Sequence, residues 1–408
     1  MKYNCIVVGG GAAGLMAAIS SAKSGGSVLV LEQLAKVGAK LKATGGGRCN
    51  LTNTLESTEF MEHFGKNGRF MQPALNALSS KDLQSFFNSI GVQTDVKDGF
   101  RVFPKGHSSQ TVIDALLKEL ARLKVDVLTS TKVLDIVPIS GGFRVATTTK
   151  ELEAKSVILA TGGKGYPMLG ATGEGFSIAS SLGHKITKLY PAMMPLFTKE
   201  SWVANCKADT IAKVTIQVDI KKYKKLRATG DLIFTNNGIR GPVVLDFSRE
   251  ITPLLEKFGE VAITLNLTKG LNAQEISQKF KEAQRAGSYT NTLELVQTLL
   301  PKSVAIELIK LANAKCDISF SKQEGSARDK LINLLANTPL TIVGHSGFDM
   351  AMITRGGVSL KSVNPNTLES KVVKGLYFCG EMLDLDGPCG GYNLQWAFAS
   401  GYLAGKVT

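Results

Sequence analysis

The chain has 408 residues, of which 44% are hydrophobic and 20% charged, and its formal net charge is +14. That length exceeds one small core and predicts more than one domain, while the composition excludes a disordered or fibrous chain. No apolar run reaches the roughly 18 residues that span a bilayer, and the opening MKYNCIVVGGGAAG is too short in apolar residues for an export signal, so a cytoplasmic protein is expected.

In chain order, Asn4 to Val8 reads as a buried strand and Gly9 to Gly14 as a glycine turn. Leu15 to Lys23 is then a helix of small residues, and Ser27 to Leu31 a second strand ending at Glu32. Together they make a βαβ unit of about thirty residues. Helices are predicted at Gln72–Leu78, Lys81–Ile90 and Thr111–Leu123, and strands at Val125–Leu128, Val133–Val137, Phe143–Thr147 and Ser156–Ala160. From about Pro191 the texture changes. Val214, Ile216, Val218 and Ile220 alternate with polar residues, which is the period of a half-exposed strand. Asp231–Phe234, Pro242–Phe247 and Val261–Leu267 continue as strands. The period becomes helical between Asn272 and Asn337, where Leu293, Leu295, Val296, Leu299 and Leu300 form one stripe. Leu340–Val343 and Ala351–Thr354 return to β-structure. Gly375–Cys379 is a short buried strand, and Leu394–Leu403 a helix of small residues. The fold class expected is α/β. A Rossmann-like domain (1–190 and 356–408) is interrupted by a β-rich insert (191–271 and 338–355) and a helical domain (272–337).

Gly9-x-Gly11-x-x-Gly14 follows a strand and opens a helix, with Ala12 and Ala13 inside the turn. The first glycine permits the turn, the second lets the backbone approach a pyrophosphate, and the third lets the helix pack on the sheet. The phosphates then face the positive end of the helix dipole. Glu32, followed by Gln33, ends the second strand where a carboxylate accepts bonds from ribose hydroxyls; it repels a 2′-phosphate, which leaves NAD or FAD.

Two features select FAD. The block Lys36–Asn53 stands where a simple NAD domain starts its next crossover helix. Its glycines expose backbone N–H groups and Arg48 can pair with a phosphate, a nest suited to a pyrophosphate and flavin. Lys40, Gly46, Gly47, Arg48, Cys49 and Asn50 are the candidate contacts. In the segment Gly375–Gly391 a strand ends at Gly380, where Glu381 and Asp384 can meet ribityl or ribose hydroxyls. Gly391, Tyr392 and Asn393 then start a helix whose positive end can face the flavin pyrimidine and stabilise its reduced, negative form.

With these blocks the chain resembles the bacterial two-dinucleotide-binding-motif flavoproteins. This NAD(P)/FAD-dependent oxidoreductase family includes L-aminoacetone oxidase and 3-dehydro-bile-acid Δ4,6-reductase. The resemblance covers nearly the full length. It rests on GGGAAG at 9–14, TGGGRCNLTN at 44–53, ATGGKGYPMLGATGEG at 160–175, GGVSL at 356–360 and GLYFCGEMLDLDGPCGGYN at 375–393. The CGGYNLQW ending looks closer to the bile-acid reductase than to the aminoacetone oxidase. The resemblance implies an FAD domain interrupted by a β-barrel-like and a helical domain. It also implies that the Val133 backbone meets the adenine and that Ala160, Thr161 and Gly162 line the AMP half of FAD.

The remaining chemistry is thinner. The four histidines (His63, His107, His184, His345) have no metal-ligand spacing, and no metal is expected. His345, before Gly347, is a candidate proton donor toward flavin, as is the Tyr392 phenol, with Tyr166 behind it. The six cysteines form no CxxC pair, and Cys49 and Cys389 read as small buried thiols. The cations at Lys221, Lys222, Lys224, Lys225 and Arg227 read as a solvated hairpin tip.

The function expected is an FAD-dependent oxidoreductase. It passes hydride through flavin N5 between a nicotinamide or small organic donor and an organic acceptor or oxygen, with the inserted segments closing over the ring. GATGEG at 170–175 lacks the preceding strand and following acid of a second dinucleotide unit, so NADH or NADPH would bind transiently in the substrate cleft. The partner expected is a small molecule, without membrane or nucleic acid. The alternatives are an oxidase of small amines, an RNA-binding or tRNA-modifying flavoprotein suggested by the positive charge, and a flavin-holding sensor without turnover.

Overall fold

Strand β1 (Tyr3–Val8) and strand β2 (Val28–Leu31) are apolar and almost wholly buried, as strands covered on both faces must be. In the computed structural model, which describes residues 2–408, they are parallel neighbours, with Cys5 opposite Val28. Asp126–Leu128 continues the sheet beyond β2. On the other side β1 pairs in parallel with Glu151–Leu159, and that strand with Leu376–Phe378.

The strand Glu151–Leu159 serves two kinds of partner. Its residues up to Ala154 pair antiparallel with Gly142–Thr147, which pairs in turn with Val133–Ile139. Val157–Leu159 instead carry the parallel C-terminal strand. The result is a seven-stranded sheet whose five parallel strands run in the order 126–128, β2, β1, 151–159, 376–378.

Helix α1 (Ala12–Lys23) is buried from Ala13 through Ser21. Its small residues let it pack closely against the C-terminal helix Tyr392–Lys406. A Cβ on Gly401 would meet the Ala13 carbonyl, and one on Gly405 the Ala17 carbonyl. Thr52–Asn53, Arg101–Pro104 and Thr94–Lys97 form a separate small antiparallel sheet. All of this lies in a compact unit that ends at Pro191 and resumes with Ala351–Thr408.

The second unit is Ala192–Met350. Six strands close into a barrel in the order 196–198, 238–240, 227–234, 210–218, 261–266, 338–345. Val214, Ile216 and Val218 are fully buried on alternate positions. The cationic run Lys221–Arg227 is the tip of the antiparallel hairpin between Thr210–Val218 and Arg227–Phe234.

Three expectations need correction. Pro242–Phe247 is not a strand but the start of a helix, Pro242–Phe258. The two valines suggest β-structure, yet Val243, Phe247, Ile251, Leu254 and Leu255 fall on one buried helical face, and Pro242 stands at the first helical position. The helices between Ala273 and Ala336 do not form a core of their own: Phe280, Leu308 and Leu331 join the barrel residues in one cluster. Residues 351–355, expected with the insert, belong to the first unit, where Ile353–Arg355 is a strand. Short apolar alternation marks a strand without saying which sheet receives it.

Candidate functional site

The glycine turn between β1 and α1 is shaped by three different constraints. Gly9 has φ +107°, and a Cβ there would lie 2.6 Å from the Ala160 carbonyl oxygen. A Cβ on Gly14 would strike the Gly9 carbonyl. At Gly11 a Cβ would meet no protein atom within 4 Å, so this backbone faces open space. The first turn of α1 has neither a side-chain cap nor an acidic residue, which leaves its orphan N–H groups and the positive helix end for an anion.

Glu32, 9% exposed, directly follows β2 and holds the turn in place. Its Oε2 accepts from the Gly10 N–H at 2.8 Å and its Oε1 from the Leu34 N–H at 2.8 Å. Each carboxylate oxygen keeps a second lone pair for a ligand hydroxyl.

These groups open onto one cavity. Its lining follows the carboxyl ends of the five parallel strands in spatial order: Thr131–Val133, Leu31–Leu34, Val8–Ala13, Ala160–Gly162 and Cys379–Glu381. A cleft along the carboxyl edge of such a sheet is where a doubly wound fold takes its ligand, and its elongated course suits a dinucleotide. The glycine cradle, the uncapped α1 and Glu32 fit FAD.

Two ion pairs stand in the cavity wall. Lys40 Nζ meets Glu381 Oε2 at 2.8 Å, while Glu381 Oε1 accepts from the Thr354 N–H at 2.7 Å. Lys132 Nζ meets Glu174 Oε1 at 2.7 Å. Gln33 Nε2 donates to the Gly170 carbonyl at 2.6 Å.

At the C-terminal strand, Gly380 (φ +67°) is held from two sides by one helix. Its N–H donates to Ser400 Oγ at 2.9 Å and its carbonyl accepts from Trp396 Nε1 at 3.1 Å. Asn393 clamps the preceding loop, accepting from the Gly387 N–H and donating to the Gly387 carbonyl, both at 2.8 Å.

The structure thus brings Gly9, Gly11, Ala12, Ala13, Glu32, Gln33, Lys40, Val133, Ala160, Thr161, Gly162, Gly380, Glu381 and Asn393 to one lining. Other candidates lie off it. Gly14 packs behind the turn. Gly46, Gly47 and Arg48 are absent from the lining, where the block contributes Thr44 instead. Gly45 and Gly46 take left-handed conformations inside a short 3-10 turn, and Arg48 Nε donates back to the Gly45 carbonyl at 3.0 Å. The local bonding of this glycine run turns it into its own closed loop rather than a wall of the cavity.

Asn50 buttresses the other glycine pair. In the amide orientation that satisfies both ends, it donates to the Thr52 carbonyl and accepts from the Gly391 N–H, each at 2.9 Å. Asn53 Nδ2 donates to the Gly390 carbonyl at 3.0 Å. Gly391 and Tyr392 sit beside the cavity, not on it. The Tyr392 ring is 3% exposed and packs against Phe60 at 5.0 Å and His63 at 4.7 Å. Asp384 also lies off the lining, which Asp386 reaches. His345 belongs to the second unit, where its Nδ1 accepts from the Gly347 N–H at 3.0 Å and burial lowers its pKa. Burial pushes the Cys49 thiol up to about 12, which keeps it protonated at neutral pH.

The lining also takes in Gly170–Gly175, which belongs to the motif at 160–175 but was not among the expected contacts, and Met352–Thr354, which was expected only as part of a strand. The signal for the first was its glycines, and Gly170 and Gly173 do adopt left-handed φ of +93° and +84°, the backbone of a tight turn. The second was hidden by its assignment to the wrong unit.

No helix among the described residues is long and apolar enough to cross a membrane. A family model described as "HI0933-like protein Rossmann domain" matches residues 3–407. The chain is 34% identical over 403 residues to the 3-dehydro-bile acid delta(4,6)-reductase of Clostridium scindens, covering 98% of each protein. It is 28% identical over 401 residues to the ribosomal RNA dihydrouridine synthase of Escherichia coli, covering 98% of this chain and 96% of that protein. Among solved structures, 3-ketosteroid delta1-dehydrogenase from Sterolibacterium denitrificans shares the fold, with a TM-score of 0.52, 14% identity and 99% coverage of both chains.

Proposed function

The chain belongs to the HI0933-like Rossmann-domain family and is an FAD-dependent oxidoreductase, and on that premise we propose that it reduces a carbon–carbon double bond conjugated to a carbonyl. The observation that carries this reading is the cleft along the five strand ends, with the open face of Gly11 at its centre. The substrate class follows from chemistry that two relatives' names share. A Δ4,6-reductase of a 3-dehydro bile acid and a dihydrouridine synthase each add two hydrogens to an electron-poor ring alkene.

Gly11 and the first turn of α1 hold the pyrophosphate, Glu32 the adenosine ribose, and the Val133 backbone the adenine. Ala160, Thr161 and Gly162 line the AMP half. Lys40 fixes Glu381 for the ribityl chain. Asn50, Asn53 and Asn393 lock the loop 387–391, so the first turn of the C-terminal helix, which reaches the cavity at Asn393 and Leu394, would present a preorganised positive end to the flavin. Bound FAD supplies a ring that accepts and donates hydride at N5. With one complete dinucleotide unit in the chain, the nicotinamide donor binds the substrate cleft, leaves, and is followed by the acceptor.

RNA is a second reading of the acceptor, favoured by the +14 charge and by the rRNA-modifying relatives. The test is anaerobic. NADH- or NADPH-reduced protein is mixed with a 3-oxo-4,6-diene steroid acid or with oligouridylate, and return of oxidised flavin absorption is followed. Reoxidation by either supports conjugate reduction and selects the class. Reoxidation by oxygen alone, with turnover of a small amine, sinks the reductase reading in favour of an oxidase.

A further inference from the structure

We propose that the surface around Phe100, next to Gly390 at the start of the C-terminal helix, is an RNA-docking face. The proposal rests on the RNA reading of the acceptor. Phe100 is half-buried, and a Cβ on Gly390 would lie 3.2 Å from its ring. Tyr392 supports it from within at 6.3 Å. An aromatic face therefore stands beside the loop that Asn50, Asn53 and Asn393 lock, close to the cavity end lined by Asn393.

Cations lie on the segments that adjoin that face, Arg101 next to Phe100 in the chain among them. Arg48 and Arg101 both lie over the Phe103 ring, at 5.6 and 5.8 Å. Lys66 precedes Asn67, whose Nδ2 donates to the Asp384 carbonyl at 3.3 Å in the same C-terminal loop. The acids of the hairpin are already engaged: Asp95 with Lys97 at 3.1 Å, and Asp98 with Arg101. Arg48, Lys66, Arg69 and Lys105 are exposed and take part in no ion pair among the described residues.

A small anionic steroid needs one such charge. Several exposed cations outside any ion pair, on segments that adjoin a half-buried ring, suit a chain of phosphates that delivers an unstacked base to the ring. The rival surface is the hairpin tip Lys221–Arg227 of the second unit, where Lys222 and Lys257 flank the Tyr223 ring at 6.0 and 5.8 Å.

The test is fluorescence anisotropy of labelled oligouridylate titrated with the full-length, FAD-loaded protein across a KCl series. Binding should weaken linearly on a log–log scale. Arg48→Ala and Lys66→Ala should each remove about 0.7 from the slope. Phe100→Ala should raise Kd about fivefold or more, and Phe100→Tyr should restore it. Lys222→Ala/Lys225→Ala should leave both Kd and slope unchanged. The surface is overturned if the barrel variant takes the loss while Arg48→Ala and Lys66→Ala bind like the parent. It is equally overturned if the parent shows no salt-dependent binding. Flavin reoxidation by the same oligonucleotide separates the two failures. Turnover with unaffected Arg48 and Lys66 variants removes the surface and leaves the RNA reading standing, whereas no binding and no turnover removes both.

Discussion

Two glycines of one motif do unlike work, and a single methyl group separates them. At Gly11 the added carbon enters open space; at Gly14 it strikes the Gly9 carbonyl. Gly11→Ala should therefore keep the parent's thermal stability and lose FAD affinity by about tenfold or more, on the order of 1.4 kcal/mol. Gly14→Ala should lose about 1–3 kcal/mol of folding stability first. Melting curves of the apoprotein and FAD titration check both, and a Gly11→Ala protein that binds FAD like the parent would remove the pyrophosphate from this turn. Cys49 supplies a pH prediction. Burial raises its folded pKa from 9.0 to about 12. Its contribution to stability is full below pH 9 and is lost as pH rises toward 12, because the unfolded thiol ionises first. The urea midpoint should fall across that window, and Cys49→Ser should make the fall shallower; an unchanged profile would contradict a buried protonated thiol. At this scale the GxGxxG and Glu32 were legible because their roles are local. Asp386 was not distinguishable from Asp384, because two acids in an irregular loop carry no period that says which one faces inward.

Among elements, the pairing of α1 with the C-terminal helix decides whether the two halves of the dinucleotide unit close. Their sequences are 12 and 15 residues long, and each is too uniformly small or apolar to show a strong amphipathic stripe. Burial on every side is the physical reason. Gly401→Val should force the helices apart and cost about 1–3 kcal/mol, read as a lower urea midpoint, together with weaker FAD retention because Trp396 and Ser400 of the same helix hold Gly380. A Gly401→Val protein with parental stability would show that the contact is not close. The parallel strands were readable from runs such as Val28–Leu31, which no half-exposed strand would carry. Helix Pro242–Phe258 was not, since Pro242, two valines and Pro253 read against a helix and the stripe emerges only over the turns after the first.

At the level of the whole molecule, the cavity is assembled from segments far apart in the chain: Val8–Thr44, Thr131–Gly175 and Met352–Ala397. A parallel sheet requires this, because each strand end arrives by its own crossover. Sequence patterns located most strand ends but could not order them, so Gly170–Gly175, visible as a motif, and Met352–Thr354 found their place on the cavity only once the order 126–128, β2, β1, 151–159, 376–378 was known. The central claim is that this cleft holds FAD and uses it for reduction. Its most direct test is the anaerobic visible spectrum of the purified protein, recorded before and after NADH and then NADPH. We predict bound oxidised flavin that one of the two nicotinamides bleaches. A protein without flavin absorption, even after FAD is added, would contradict the account.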